Sequence, residues 1–137
     1  LGKEKVAPNY TDENTLPRLY EKLFDHCPNL KIAATTLRYS INASHQKIGG
    51  ILYDGKKVYK AAIKEVTPVV DRVGTGDAFM GGLIYGLLNP SFENQKTLEF
   101  SVAACCLKHT IVGDYNLATL DEIEHIIQGD GSAKVSR

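Results

Sequence analysis

The feature that most constrains this chain is the run Asp71-Arg72-Val73-Gly74-Thr75-Gly76-Asp77-Ala78-Phe79. It follows a short apolar run at residues 66–70 and opens a continuous apolar segment, residues 78–88. Two glycines around one small residue, where a strand gives way to a helix, are a signature of α/β architecture. At such a turn the backbone N–H groups of Gly74, Thr75 and Gly76 can face outward as an anion-binding nest, reinforced by the positive end of the helix dipole. Asp77 stands at the end of that nest. A phosphate cradle with a carboxylate beside it is the equipment of phosphoryl transfer; the plainer alternative is a Gly-rich turn with Asp77 as a helix-terminal charge.

The helix behind the loop has no polar face. Phe79, Met80, Leu83, Ile84, Leu87 and Leu88 surround it, so burial on most sides is expected. Gly81, Gly82 and Gly86 each cost about 1 kcal/mol against Ala in a helix, which implies that another backbone, such as a sheet, approaches closely.

Asp71 to Asp77 resembles the D-x-x-G-x-G-D signature of ribokinase-like (PfkB-type) carbohydrate kinases. The segment Ala103-Ala104-Cys105-Cys106-Leu107-Lys108-His109-Thr110-Ile111-Val112-Gly113-Asp114-Tyr115-Asn116 is similar to the 2-keto-3-deoxygluconate kinase branch. The resemblance runs from about residue 30 to residue 127. It implies ATP-dependent phosphorylation of 2-keto-3-deoxygluconate at its terminal hydroxyl, with Mg²⁺ bridging the phosphates and Asp77 as catalytic base. A monovalent cation beside the glycine loop is common in such relatives. Gly74, Thr75 and Gly76 would form the anion hole, and a large residue at Gly74 or Gly76 is expected to collapse it. Thr75 stands where relatives often carry Ala, a change expected to be harmless if only its N–H is used. The resemblance places Arg38 near the ATP phosphates, Ser101 and Cys105 near adenine, and Asp114 on the substrate side. Arg72 would face the substrate carboxylate or pair with Asp71. Plain readings stand beside these: a solvated Arg38, a core Cys105, an Asx-type turn at Asp114.

Kinases of this kind are more than twice as long as these 137 residues. The chain, which starts Leu1-Gly2-Lys3, is therefore expected to be the nucleotide-binding, C-terminal part of an enzyme whose N-terminal part supplies most sugar contacts and any dimer-forming lid. Residues 1–128 would form that part of the domain and residues 129–137 a disordered tail. Two other readings stay open in function: another PfkB-type sugar or nucleoside kinase, or a non-catalytic nucleotide-binding fragment. An isolated piece with an exposed sheet edge would also be prone to aggregate.

Sixteen basic and sixteen acidic residues cancel, so no field favours nucleic acid or an anionic membrane. No apolar run approaches the ~20 residues of a membrane span. Three cysteines, two of them adjacent, argue against a secreted disulfide framework and for a reducing, cytoplasmic compartment. Cys105, Cys106 and His109 match no common zinc spacing, so no metal ligands are assigned. The absence of a Gly-Lys-Ser/Thr string excludes a P-loop.

Along the chain, residues 1–10 read as a loop and residues 16–26 as a helix, with Thr15 as cap and Pro17 in its first turn. Residues 30–36 read as a buried strand. Residues 48–53 and 57–63 flank Asp54-Gly55, a hairpin signal. A strand at 66–70 delivers the chain to the glycine loop. Helices follow at about 94–109 and at 120–128. Strands alternating with helices imply a mostly parallel sheet with helices on both faces and an antiparallel hairpin at one edge.

Overall fold

The computed structural model describes residues 14–129 and the backbone of residues 134–135. The loop expected at residues 1–10 lies outside the described residues. The elements are α1 (Thr15–His26), β1 (Ala33–Asn42), β2 (His45–Tyr53), β3 (Val58–Lys60), β4 (Lys64–Val66), α2 (Thr75–Leu88), α3 (Asn94–Lys108), α4 (Leu120–Gln128) and β5 (Lys134–Val135).

The sheet corrects the sequence-based expectation. β2 pairs antiparallel with β1, β3 and β4, and only β4 and β5 run parallel. The reason lies in the connections. β1 and β2 are joined by the tight turn at Asn42, whose Oδ1 accepts the Ser44 N–H at 2.9 Å, and a link that short can only reverse direction. The expected Asp54-Gly55 hairpin joins β2 to β3, with Gly55 at φ +86°. Among the described residues, only the long stretch between β4 and β5 carries the helices that a parallel crossover requires. Residues 134–135, expected in a tail beyond the fold, pair with Glu65 and Val66. The strand expected at 66–70 sits earlier, at Lys64–Val66, leaving 67–74 as an irregular approach to α2.

Alternation along β2 divides the core. Ile48 and Leu52 join Val66, Phe79, Leu83, Leu98 and Val102. Ile51 joins Leu16 and Tyr20 of α1 with Ala33 and Leu37 of β1. Tyr20 also donates its hydroxyl proton to Thr35 Oγ1 at 2.6 Å. Between Ile48 and Leu52 lies Gly50, where a Cβ would come 2.9 Å from Val102 Cγ2 and 3.0 Å from Leu98 Cδ1. Glycine there lets α3 rest on the strand.

α3 is buried on nearly every side from Thr97 to Lys108. Its close neighbour is α2, and the α2 glycines explain how: a Cβ at Gly82 would stand 2.9 Å from Ser101 Cα, and one at Gly86 2.7 Å from Thr97 Cγ2. The close approach expected from these glycines is thus made by a helix, not by the sheet. The other side of α2 is open, against expectation. Met80 (51%), Ile84 (52%) and Leu88 (77%) form an exposed apolar stripe, because α3 covers only one flank. α4 begins with a capping box, Glu122 N–H donating to Thr119 Oγ1 and Thr119 N–H to Glu122 Oε2, which satisfies two otherwise unpaired donors. Among the described residues no helix is long and apolar enough to cross a membrane.

Candidate active site

The glycine loop is held from three directions. The turn between β1 and β2 holds its approach: Val69 N–H donates to Ser44 O at 2.8 Å. The end of α3 holds its start, where the His109 carbonyl accepts Val70 N–H at 2.8 Å and Asp71 N–H at 3.2 Å. Asp71 then closes it. One carboxylate oxygen accepts Val73 N–H at 3.0 Å, an Asx turn, and the other accepts Gly113 N–H at 2.9 Å. These two backbone bonds hold the Asp71 carboxyl below its ordinary range, with a smaller contribution from the Lys108 charge.

Gly74 is the N-cap of α2, at φ +74°. A Cβ there would lie 2.2 Å from the Asp114 carbonyl oxygen, so the two loops cross at a point only glycine can occupy. Gly76 differs from the sequence expectation: a Cβ meets nothing within 4 Å, so the protein's own packing does not require glycine there. The first turn closes with Ala78 N–H donating to Gly74 O at 2.9 Å. Preceding N–H groups in a first helical turn have no intrahelical acceptor, and the dipole points its positive end the same way. The Thr75 N–H leans weakly on Arg72 O at 3.4 Å, which leaves Gly76 and Asp77 as the outward donors.

Thr75 does more than supply an N–H. It is buried, donates its hydroxyl proton to Arg72 O at 3.0 Å and accepts from Arg38 Nη2 at 3.0 Å. The loop residue thereby fixes the guanidinium of β1 beside the start of α2. Arg72 makes no ion pair with Asp71; its Nη2 donates over a long 3.5 Å to Ala43 O.

Asp77 and Asp114 are both exposed and share one cavity of about 340 Å³. Gly74, Gly81, Gly82, Tyr85, Phe100 and Ala104 line it with the two carboxylates. Tyr115, Asn116, Leu120 and Ile123 line it as well. A mostly apolar lining with two aromatic rings and a few polar groups suits a flat heteroaromatic group.

Ser101 and Cys105 are not among the residues lining that cavity. Both are fully buried, and Ser101 gives its hydroxyl proton to Thr97 O at 2.7 Å. Gly82 and Ala104, their neighbours on α2 and α3, line the cavity. Burial pushes the Cys105 thiol up to about 11, slightly opposed by the Arg38 charge, and raises Cys106 well above its usual value. Neither is a nucleophile at neutral pH. His109 is buried and held below its usual range, chiefly by desolvation and further by the charges of Arg38, Arg72 and Lys108. Its Nδ1 lies 2.7 Å from Cys105 O, while Nε2 has no protein partner. Among the described residues no group of three or more His, Cys, Asp or Glu is placed to hold a metal ion.

Sequence reasoning passed over the clasp made by Asp71 and the carbonyl of His109. An Asp followed two residues later by a turn N–H is a readable Asx signal; the partnership with Gly113, 42 residues away, has none. The stacking of Tyr85 on Phe100, 5.0 Å between ring centroids, was equally hidden, since nothing local links two residues on different helices.

The model of the pfkB family carbohydrate kinases matches residues 44–116, more than half of the chain. A 2-dehydro-3-deoxygalactonokinase of Haloferax volcanii is 35% identical over 89 residues, covering 65% of this chain and 27% of that relative. The crystal structure of a 2-dehydro-3-deoxygluconokinase of Thermotoga maritima superposes with a TM-score of 0.80 at 35% identity, over 90% of this chain and 37% of that one. A PfkB family carbohydrate kinase of Listeria grayi superposes with a TM-score of 0.76 at 30% identity, over 89% and 36%. The chain thus spans about a third of the length of the relatives it matches, and its fold is that of their ribokinase-like domain. With the glycine loop, Asp77 and the 109–116 turn all inside the matched region, the chain belongs to the pfkB family of carbohydrate kinases.

Proposed function

We propose that this chain is the phosphate-binding, catalytic part of an ATP-dependent kinase acting on 2-keto-3-deoxygluconate at its terminal hydroxyl. The observation that carries the reading is the place of Asp77: third residue of α2, exposed, lining the cavity, beside N–H groups that no carbonyl of the helix can satisfy. The sugar class follows from the two relatives named for 2-dehydro-3-deoxy sugar acids. Another PfkB-type sugar or nucleoside kinase is the neighbouring reading, and its substrate would be set outside this chain.

The residues fit a bound nucleotide. The open space over Gly76 and Gly81, where a Cβ meets nothing within 4 Å, leaves room for phosphates and for a base against Tyr85 and Phe100. When bound, ATP with Mg²⁺ supplies the γ-phosphoryl group. Mg²⁺ needs only one or two protein carboxylates when phosphates complete its shell, and Asp77 and Asp114 are the carboxylates that line this cavity. A monovalent cation beside the glycine loop remains part of the same proposal.

Each residue then has a defined task. Asp77 takes the proton from the sugar hydroxyl as it attacks in line. The N–H groups of the first turn of α2, with the dipole behind them, stabilise charge developing on the phosphoryl oxygens. Arg38, fixed by Thr75, adds positive charge beside them, and Arg72, exposed on the same loop, is free to meet the substrate carboxylate. Asp114, on the same cavity, orients the acceptor.

The exposed stripe of Met80, Ile84 and Leu88 would be covered by the remainder of the ribokinase-like domain, which also brings most sugar contacts. The test is phosphate transfer by the full-length protein, followed by ³¹P NMR, to 2-keto-3-deoxygluconate, 2-keto-3-deoxygalactonate and ribose in separate reactions. A 6-phosphate formed from the keto-deoxy acids and not from ribose supports the proposal. Transfer to ribose alone would replace the sugar, and ATP binding without transfer to any of them would leave a nucleotide-binding module.

A further inference from the structure

Lys108 is among the largest side chains with no exposed surface, and it ends α3. An ammonium group taken out of water persists only where protein groups replace its hydration. Its Nζ donates to the carbonyl of Ile111 at 3.0 Å, an arrangement that also places a cation at the negative end of the helix. Its charge reaches Asp71 and His109 as well.

The 111–114 turn is therefore pinned twice. Lys108 holds the Ile111 carbonyl from inside, and Asp71 holds the Gly113 N–H from outside. Val112 between them is 77% exposed, and Gly113 sits at φ +83° with nothing near its Cβ position. Ile111 is buried and its N–H donates to Lys108 O at 3.1 Å, but beyond it Val112 and Gly113 have little packing of their own, so the pins on either side of them decide where the next residue lies. That residue is Asp114, whose carbonyl crosses Gly74 and which shares the cavity with Asp77.

We propose that Lys108 is a positioning residue for Asp114: its buried ammonium group fixes the 111–114 turn through the Ile111 carbonyl and so sets the distance between Asp114 and Asp77 across the cavity. The kinetic consequence rests on the kinase reading; the structural one does not.

The experiment compares the full-length protein with its Lys108→Met variant, which keeps the length and removes the charge. Amide exchange at Gly113 and Asp114 should quicken about tenfold or more, while amides of β2 and central α3 keep their rates. Turnover of 2-keto-3-deoxygluconate should fall about tenfold, yet adding Lys108→Met to Asp114→Ala should cost less than about twofold more, since both act through one group. Unchanged exchange in the 111–114 turn, or losses that multiply in the double variant, would overturn the proposal. If the unaltered protein phosphorylates no sugar, the kinase reading fails while the exchange comparison still decides the role of Lys108. If Lys108→Met loses protection throughout, Lys108→Gln, which keeps a donor for Ile111, is read by the same exchange criterion.

Discussion

Gly74 and Gly76 look equivalent in the sequence, and the structure makes them opposite. At Gly74, φ is +74° and a Cβ would stand 2.2 Å from the Asp114 carbonyl oxygen. Gly74→Ala must hold a left-handed conformation, about 1–2 kcal/mol, and push the 109–116 turn aside, about 1–3 kcal/mol as overpacking. The sum, about 2–5 kcal/mol, corresponds to a fall in Tm of about 3–6 °C in a full-length protein roughly three times as long as this chain. At Gly76 the φ is ordinary for a helix and a Cβ meets nothing within 4 Å, so Gly76→Ala gains up to about 1 kcal/mol of helix propensity. The same methyl group would stand where phosphate oxygens are proposed to lie. Thermal unfolding by circular dichroism, with turnover measured on the same full-length samples, separates the two. Gly74→Ala should lose stability and activity together, and Gly76→Ala should lose activity with Tm unchanged or raised. Equal Tm values for the two variants would refute the argument from the loop crossing, and full activity in Gly76→Ala would refute the anion hole.

Three further outcomes follow from single residues. His109 is held neutral in the fold, below its unfolded value of about 6.5. The unfolded chain therefore binds the proton first as pH falls, so stability should decline below about pH 6.5 toward the lower folded value. His109→Gln should flatten that slope in urea titrations at pH 7.5, 6.0 and 5.0. Thr119→Ala breaks the capping box of α4 and should cost about 1 kcal/mol in the same titrations. Cys105 and Cys106 are buried with raised thiol values and Cys27 is exposed, so mass spectrometry after native iodoacetamide treatment at pH 7.5 should find label at Cys27 and none at the pair.

Local signals carried much of this. The α1, α3 and α4 boundaries follow from Pro17, the apolar spacing and the acidic first turn at Asp121 and Glu122, and they agree with the observed helices to within a residue or so. Asp54-Gly55 gave its hairpin because a two-residue turn signal acts over a few residues. The sheet's direction did not follow, because pairing is decided by connection length and the Asn42–Ser44 turn carries no glycine to announce it. Exposure of α2 was misjudged for a related reason: an apolar stripe shows that a partner is wanted, not where it lies. The glycine turn at the start of α2, with Gly74 before the helix and Asp77 in its first turn, was legible from spacing alone. The bond from Thr75 to Arg38, the clasp from Asp71 to Gly113 and the stacking of Tyr85 on Phe100 join residues far apart in the chain, and no periodicity encodes them. Ser101 and Cys105 lie on a helix buried nearly all round, where no polar stripe marks the side on which Phe100 and Ala104 line the cavity.

The central claim is that Asp77 removes the proton from the acceptor hydroxyl. The direct measurement is single-turnover phosphoryl transfer to 2-keto-3-deoxygluconate by the full-length protein and its Asp77→Asn variant, with ATP affinity measured alongside. Loss of a general base predicts a fall of about 10²–10⁴-fold in the rate of transfer, with ATP still bound. A variant that transfers phosphate at the unaltered rate would take Asp77 out of the mechanism and leave the glycine loop as a binding site only.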